Sequence, residues 1–230
     1  MRALVTGANR GLGLETVRQL AQRGIHVILT ARDVRAGEQA VAKLRVQGAN
    51  VTFVVLDVAA HASIERAAQI VAAQCDALDV LINNAAILEN ESEAILEVDA
   101  TRMQRTLQTN TVGPLLVAQA FLPLLLQSKR GRIINVSSSA GSLHEMSAYA
   151  PAYSISKTAL NAVTVQLALS LQERGIAVNS VCPGWVRTDM GGQHAPLSVE
   201  EGVDTIIWLA TEAPQDLTGQ FLRERKSISW

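Results

Sequence analysis

The chain has 230 residues, of which 48% are hydrophobic and 18% are charged, and its formal net charge is -1 at pH 7. A chain of this length with no Pro/Gly/Ser-rich linker predicts a single folded domain over residues 1–230. The balanced charge lacks the basic bias of proteins that bind polyanions, so we expect no nucleic-acid partner.

Several other classes of protein are also disfavoured. The longest apolar stretch, residues 115–126, is interrupted by Gln119 and Pro123 and is too short to span a bilayer. The N-terminus leads directly into an apolar strand pattern without the features of a secretory signal. Cys75 and Cys182 are isolated, which favours buried thiols over disulfides, and the four histidines share no metal-binding spacing. We therefore expect a cytoplasmic protein without a membrane segment or a metal.

Apolar runs and helical periodicities alternate along the whole chain. Strands are predicted over residues 3–5, 25–30, 51–56, 79–82, 131–136, 177–182 and 219–222. Helices are predicted over residues 12–23, 36–47, 63–74, 100–127, 153–174 and 199–210. Helical crossovers between strands require parallel pairing, and such crossovers are right-handed. The pattern therefore predicts an α/β fold with a doubly wound, seven-stranded parallel sheet of the dinucleotide-binding (Rossmann) type.

Polar segments follow the predicted strands at their carboxyl ends, where open α/β sheets bind ligands. The first strand leads into a turn with glycines at positions 7, 11 and 13, which suit a tight turn, close approach to a pyrophosphate and tight helix packing. The helix that follows would direct its N-terminus towards an anion. Asn83 and Asn84 follow the fourth strand, and Ser137 to Ser139 follow the fifth. A glycine-rich turn without a ligand remains the alternative for the first segment.

Tyr153 and Lys157 are four residues apart at the start of a predicted helix, so their side chains share one face. A free tyrosine has a pKa of ~10, and a cation within ~4–6 Å stabilises its phenolate. The pair is therefore suited to acid–base chemistry. Taken alone, an exposed Tyr–Lys pair on a helix is the alternative interpretation, and the other three motifs argue against it.

These four motifs, in this order along the whole chain, resemble the short-chain dehydrogenase/reductase family, in particular its carbonyl reductase-like members. The resemblance implies that Ser138 hydrogen-bonds the substrate carbonyl oxygen and that Tyr153 acts as general acid or base. It also implies that Lys157 lowers the pKa of Tyr153 and holds the cofactor, and that Asn110 bends a helix and supports a proton relay. The cofactor-binding residues implied are Gly7, Asn9, Arg10, Gly11, Leu12, Gly13, Arg32, Asp57, Val58, Asn84, Ala85, Tyr153, Lys157, Pro183, Gly184, Val186 and Thr188.

The chain departs from the family pattern in three places. Ala86 replaces the glycine of the usual Asn-Asn-Ala-Gly motif, and the interval between Ser138 and Tyr153 is slightly longer than usual. The chain also lacks the C-terminal Gly-Gly motif of many members. We expect a slightly crowded cofactor ribose and an altered substrate pocket, with cofactor binding retained.

The residues after the second strand predict NADP as the cofactor. Ala31 stands where NAD-preferring relatives place an acid, and Arg32 and Arg10 offer guanidinium groups suited to a 2′-phosphate. Asp33 could fold back towards the ribose if the turn differs from that of the family. Asp57 resembles the residue that contacts the adenine, although an acid near a helix N-cap is the alternative.

The predicted activity is NADPH-dependent reduction of ketone or aldehyde carbonyls by hydride transfer. The segment from Pro183 to Met190 and the charged C-terminal end resemble carbonyl reductases, and the small-molecule substrate pocket has five candidate lining residues: Trp185, Met190, His144, Met146 and Tyr149. Two alternatives stay open. One is NADP-dependent oxidation of a secondary alcohol such as a steroid, and the other is a non-catalytic nucleotide-sensing protein.

The helices predicted over residues 100–127 and 153–174 are apolar on nearly every side, which predicts burial on both faces. Related proteins use these two helices as a dimer interface, and the chain lacks the long insertion before the tyrosine found in monomeric relatives. We therefore expect a homodimer or homotetramer. Coverage of the outer face by loops of the same chain is the alternative.

Overall fold

The structure is a computed structural model that describes residues 1–230. Strands and helices alternate as the sequence predicts. The strands are β1 Arg2–Val5, β2 His26–Ala31, β3 Val51–Val55, β4 Val80–Asn83, β5 Arg132–Val136, β6 Ala177–Val181, β7 Phe221–Arg223 and β8 Lys226–Ser227. The helices are α1 Gly11–Gln22, α2 Val34–Val46, α3 His61–Ala72, α4 Ala100–Leu107, α5 Gly113–Leu125, α6 Pro151–Leu171, α7 Val199–Gly202 and α8 Asp204–Thr211.

The strands form one sheet in the order β3-β2-β1-β4-β5-β6-β7-β8. All pairs from β3 to β7 are parallel, which confirms the predicted seven parallel strands. The two-residue β8 pairs antiparallel with β7 and was not predicted, because two residues are too short for a strand pattern. The chain leaves β1 towards β2 and β3 and then returns to place β4 on the other side of β1. The crevice at the carboxyl ends of β1 and β4 is therefore the switch point where such sheets bind ligands.

Two apolar clusters cover the two faces of the sheet. One joins strand residues to apolar side chains of α1, α2 and α8, and the other joins them to α3, α5 and α6. Both clusters contain fully buried strand side chains, for example Leu29 in the first and Leu81 in the second. Burial on both faces explains why these strands are continuous apolar runs without alternation. No helix is both long and apolar enough to cross a bilayer.

The helix predicted over residues 100–127 is interrupted, and this prediction was wrong in that respect. A π-helical segment, Gln108–Val112, separates α4 from α5. At the junction, a Cβ on Gly113 would lie 2.6 Å from the backbone oxygen of Val58, so only glycine allows this close approach. The helix predicted over residues 199–210 is likewise divided at Val203 into α7 and α8. The other boundaries agree within a few residues.

Candidate active site

One cleft of about 670 Å³ opens at the carboxyl edge of the sheet. Every catalytic and cofactor-binding residue predicted from the sequence lines this cleft, except Asn110. Ser138, Tyr153 and Lys157 thus lie in the same cleft as the glycine turn, although more than a hundred residues separate the two regions of the sequence.

The glycine turn is shaped to leave backbone amides free. Gly7 and Gly11 adopt φ values of 61° and 55°, which other residues rarely adopt. Helix α1 begins directly after Arg10, with no side chain capping its N-terminus and no acid in its first turn. By contrast, Asp33 caps α2 and Asp99 caps α4. The free amides and the helix dipole at α1 therefore fit a pyrophosphate.

Asn84 links the glycine turn to the end of β4 by hydrogen bonds. Its Nδ2 donates to the backbone oxygens of Thr6 at 2.8 Å and Gly7 at 3.2 Å. The Thr6 hydroxyl accepts from the backbone amides of Asn84 and Ala85, each at 3.0 Å. A Cβ on Gly13 would lie 2.5 Å from Asn84 Nδ2, so the third glycine is needed for this packing. Asn84 and Ala85 thereby fix the position of the turn within the cleft.

The residues after β2 leave one guanidinium free. Arg32 is exposed, and its side chain forms no hydrogen bond or ion pair. Asp33 does not fold back, because its carboxylate accepts from the backbone amide of Ala36 at 2.9 Å. Arg10 is already paired, since its Nη1 donates to Asp189 Oδ2 at 2.7 Å. The sequence gives no signal for that pairing.

Asp57 lies at the end of β3 in a local turn, where its Oδ1 accepts from the Ala59 amide at 3.0 Å. The N-cap of α3 is Ala60. Asp57 therefore does not cap α3 itself, although it lies three residues before the cap, and its side chain lines the cleft together with Val58.

Ser138 and Tyr153 line the other side of the cleft. Ser138 follows β5 and caps a short 3₁₀ turn, Ser139–Gly141, by accepting from Ala140 at 3.2 Å. Burial raises the pKa of Tyr153 well above its ordinary value, and the hydrogen bond from Ser138 opposes this rise. The phenol is therefore held protonated across the neutral range.

Lys157 lies one turn beyond Tyr153 on α6, as the spacing predicts. Its Nζ is 5.6 Å from the centre of the Tyr153 ring and donates to the backbone oxygen of Val136 at 2.7 Å. The residue is only 2% exposed, and burial lowers the pKa of Lys157 to about 7. The sequence predicted that Lys157 lowers the pKa of Tyr153. In this structure burial dominates both groups, so the phenol's pKa is raised while the amine is only partly charged near neutrality.

Asn110 lies behind the cleft, in the π-helical segment, and is fully buried. Its Oδ1 accepts from the Ile87 amide at 2.8 Å, and its Nδ2 donates to the Ile87 oxygen at 2.8 Å and to Ser156 Oγ at 3.0 Å. The side chain thus ties α6 to the segment after β4. These contacts show that Asn110 positions α6, whereas the proton-relay role implied by the resemblance stays a prediction.

The loop after β6 contributes Pro183, Gly184, Val186 and Thr188 to the cleft. Gly184 has a φ of 82°, and a Cβ there would lie 2.6 Å from Leu197. The loop folds on itself, since Trp185 Nε1 donates to the backbone oxygen of Gly191 at 2.7 Å.

Of the five candidate substrate-pocket residues, Trp185, Met190 and Tyr149 line the cleft, whereas His144 and Met146 do not. Sequence reasoning missed the segment after β4, where Ile87, Leu88 and Glu91 line the cleft. Its position directly after the Asn83-Asn84 strand end was the available signal. Burial, followed by a hydrogen bond with Glu91, raises the pKa of Tyr149 to about 12.

Comparisons with known proteins agree with this arrangement. Residues 1–196 match the family described as short chain dehydrogenase. (+)-Neomenthol dehydrogenase of Arabidopsis thaliana is 33% identical over 288 residues, which cover 99% of this chain and 97% of that protein. Carbonyl reductase (NADPH) 1 of Sus scrofa is 32% identical over 278 residues, which cover 99% of this chain and 93% of that protein. The structure of an NADPH-bound carbonyl reductase from chicken fatty liver superposes with a TM-score of 0.91 at 35% identity, covering 100% of this chain and 98% of the other.

Proposed function

The chain belongs to the short-chain dehydrogenase/reductase family, and from that premise we propose that it is an NADPH-dependent carbonyl reductase. The observation that supports this most directly is that Ser138, Tyr153 and Lys157 line the same cleft as the glycine turn. Relatives named as NADPH carbonyl reductases, matched along nearly their whole length, support the same reaction. The substrate is a ketone or aldehyde, reduced to an alcohol.

The preference for NADP rests on the charges after β2. Arg32 has no protein partner and lines the cleft, and no acid occupies position 31. Asp33 is committed to capping α2. A free guanidinium binds a 2′-phosphate through charge-assisted hydrogen bonds, whereas a 2′-hydroxyl offers it only a neutral partner.

Bound NADPH supplies the hydride. Tyr153 stays protonated at neutral pH because burial raises its pKa, so it is suited to donate a proton to the carbonyl oxygen. Ser138 lines the same cleft as Tyr153, so its hydroxyl can donate to the same oxygen as negative charge develops there. Lys157 then stabilises the phenolate that remains, since its amine is held 5.6 Å from the ring.

Oxidation of a secondary alcohol is the second candidate, favoured by the similarity to (+)-neomenthol dehydrogenase. In that direction Tyr153 would act as a base, which requires the phenolate. The same residues serve both directions, so the ratio of NADPH to NADP determines which of the two reactions predominates.

The test is NADPH oxidation with a panel of small diketones, aldehydes and quinones, on wild type and two variants. We expect Tyr153→Phe to lower kcat about a hundredfold or more, because the proton donor is lost, while the Kd for NADPH stays within a few-fold. Tyr149→Phe is the matched control, since Tyr149 is the only other tyrosine and also lines the cleft. A Tyr153→Phe enzyme with more than about a tenth of the wild-type kcat would contradict the assignment. NADPH binding without any turnover would instead favour a nucleotide sensor.

We further propose that the chain forms a homodimer or homotetramer through α5 and α6. Neither helix has an exposed charged side chain, because Lys157 is the only charged residue in them and is buried. Large apolar side chains nevertheless face outwards, with Ile155 38% and Leu169 64% exposed. The two relatives described above align over 288 and 278 residues, so they contain segments that this 230-residue chain lacks. These features favour an isologous contact between two copies.

We also infer a cytoplasmic location. Cys75 and Cys182 are buried and unpaired, as is usual in a reducing compartment. Microscopy of a fluorescent fusion tests this.

A further inference from the structure

The cleft contains two guanidinium groups suited to a 2′-phosphate, but only one of them is free. Arg32 has no partner, whereas Arg10 Nη1 donates to Asp189 Oδ2 at 2.7 Å. These two residues are 179 positions apart in the sequence. A carboxylate from the loop after β6 therefore neutralises one of the two cations expected to bind the cofactor phosphate.

The ion pair crosses from the glycine turn to the loop after β6. Arg10 immediately precedes α1, and Asp189 follows Thr188. The two segments approach closely, because a Cβ on Gly11 would lie 3.5 Å from Thr188 Cγ2. Both residues of the pair line the cleft.

The carboxylate of Asp189 is not needed to build its loop. The loop is held by the hydrogen bond from Trp185 to Gly191 and by one from the Gly191 amide to Thr188 Oγ1 at 3.0 Å. The carboxylate of Asp189 has no protein partner other than Arg10. A neutral side chain of the same shape should therefore leave the fold intact.

We propose that Asp189 is a specificity-determining residue that competes with the 2′-phosphate of NADP(H) for Arg10. This rests on the proposed function, since it concerns the same cofactor. The side chains of Arg10 and Asp189 are 71% and 74% exposed, so the pair is weak and a phosphate dianion can displace the carboxylate. Displacement of the carboxylate still breaks the Arg10–Asp189 ion pair and leaves the negative charge of Asp189 near that of the phosphate. NADH has no 2′-phosphate, so its affinity does not depend on this exchange. Asp189 thus moderates the preference for NADP(H).

The first experiment compares wild type with Asp189→Asn by titrating NADPH and NADH at low ionic strength. We expect Asp189→Asn to lower the Kd for NADPH about two- to fivefold and to leave the Kd for NADH unchanged. The gain in affinity for NADPH should become smaller as salt is added. A weaker affinity for NADPH would overturn the proposal, because the pair would then be clamping the cofactor. Equal changes in the Kd for NADPH and the Kd for NADH would also overturn the proposal.

The second experiment is a double-mutant cycle. In an Arg10→Ala background the Asp189→Asn effect should vanish, whereas in an Arg32→Ala background it should persist. An effect that survives without Arg10 would overturn the proposal, because Asp189 would then act as a general repulsive charge. These are binding measurements, so a protein that binds NADPH but reduces no carbonyl would contradict only the proposed function. A wild type that binds neither cofactor would contradict both.

Discussion

Arg32 is the side chain on which the choice of cofactor should depend most. It lines the cleft and has no protein partner, so its charge is fully available to the 2′-phosphate. We expect Arg32→Ala to raise the Kd for NADPH about ten- to a hundredfold, the loss of one charge-assisted pair, and to change the Kd for NADH little.

Arg35→Ala is the matched control, because Arg35 is an exposed arginine nearby that does not line the cleft. It should leave both dissociation constants unchanged apart from a small long-range effect. If Arg32→Ala and Arg35→Ala raised the Kd for NADPH equally, the affinity would depend on the overall positive charge and not on a specific guanidinium.

Burial of Lys157 should make stability depend on pH. Its pKa is about 7 in the folded chain, against 10.5 ordinarily. Between these values the unfolded state binds more protons than the folded state, so the free energy of unfolding rises with pH. Below about pH 7 both states are protonated and the dependence ends. Wild type should therefore gain stability relative to Lys157→Met as the pH is raised from about 7 to about 9.

Urea unfolding of both proteins across that range measures the difference directly. Tyr153 does not interfere, because its raised pKa and the ordinary pKa of an unfolded tyrosine both lie above this range. A stability difference that is constant with pH would mean that the amine keeps its ordinary pKa in the folded chain.

At the scale of elements, the π-helical segment between α4 and α5 is held by one buried side chain. Asn110 satisfies both backbone groups of Ile87 and also bonds Ser156. We expect Asn110→Ala to lower the free energy of unfolding by about 1–3 kcal/mol, because buried polar groups lose their partners. Turnover should fall as well, since Ile87 and α6 both border the cleft. Denaturant unfolding and steady-state kinetics measure the two effects.

Gln108→Ala serves as the control within the same segment. Gln108 is half-buried, and its only side-chain hydrogen bond, to the Ala59 oxygen, is long at 3.4 Å. Its loss should change stability by less than about 0.5 kcal/mol. If both variants were equally destabilised, the segment would be sensitive to any substitution and Asn110 would have no special positioning role.

The strands and most helices could be predicted because local signals specify them. Continuous apolar runs identify buried parallel strands, and Gly24 and Gly48, both with positive φ, end the first two helices. The periodicity of residues 100–127 did not show the break, because the π-helical segment is held by contacts far away in sequence, those of Asn110 with Ile87 and Ser156 and of Gly113 with Val58. Only the family resemblance, which implies that Asn110 bends a helix, indicated it. Strand β8 was missed because two residues carry no periodicity.

Part of the candidate site could likewise be predicted from the sequence, and part could not. Helical spacing fixes Tyr153 and Lys157 relative to each other, so their common face could be predicted from the sequence. The glycine turn could also be predicted, because its shape depends on its own backbone. The pKa of Tyr153 could not, because it depends on burial by the assembled fold. The Arg10–Asp189 pair joins loops at opposite ends of the chain, and no local pattern marks it.

In the whole molecule, the cleft and the exposed apolar side chains of α6 lie in different places on the sheet. The carboxyl edge carries the cleft, while α5 and α6 cover one face of the sheet and α6 turns Ile155 and Leu169 outwards. Helix α6 contributes to both places, since Tyr153 and Lys157 line the cleft and Leu169 is exposed. Contact between two copies along α6 would therefore also brace the helix that holds the reacting groups.

This arrangement leads to a prediction about assembly. If two copies meet at α5 and α6, Leu169→Asp should dissociate them, because it places a charge in an apolar contact. Wild type should have a mass of at least two chains by light scattering at micromolar concentration, and the variant should have the 24.6 kDa of one chain.

Val46→Asp provides the control for surface charge. Val46 is 90% exposed at the end of α2, a helix whose apolar side chains belong to the cluster on the opposite face of the sheet. A change there should leave the mass unchanged. Because Leu169 is itself 64% exposed, its replacement should not unfold the chain, so a lower mass would report the loss of a contact. A wild-type mass of one chain would refute the interface, and the apolar face of α6 would then need another partner.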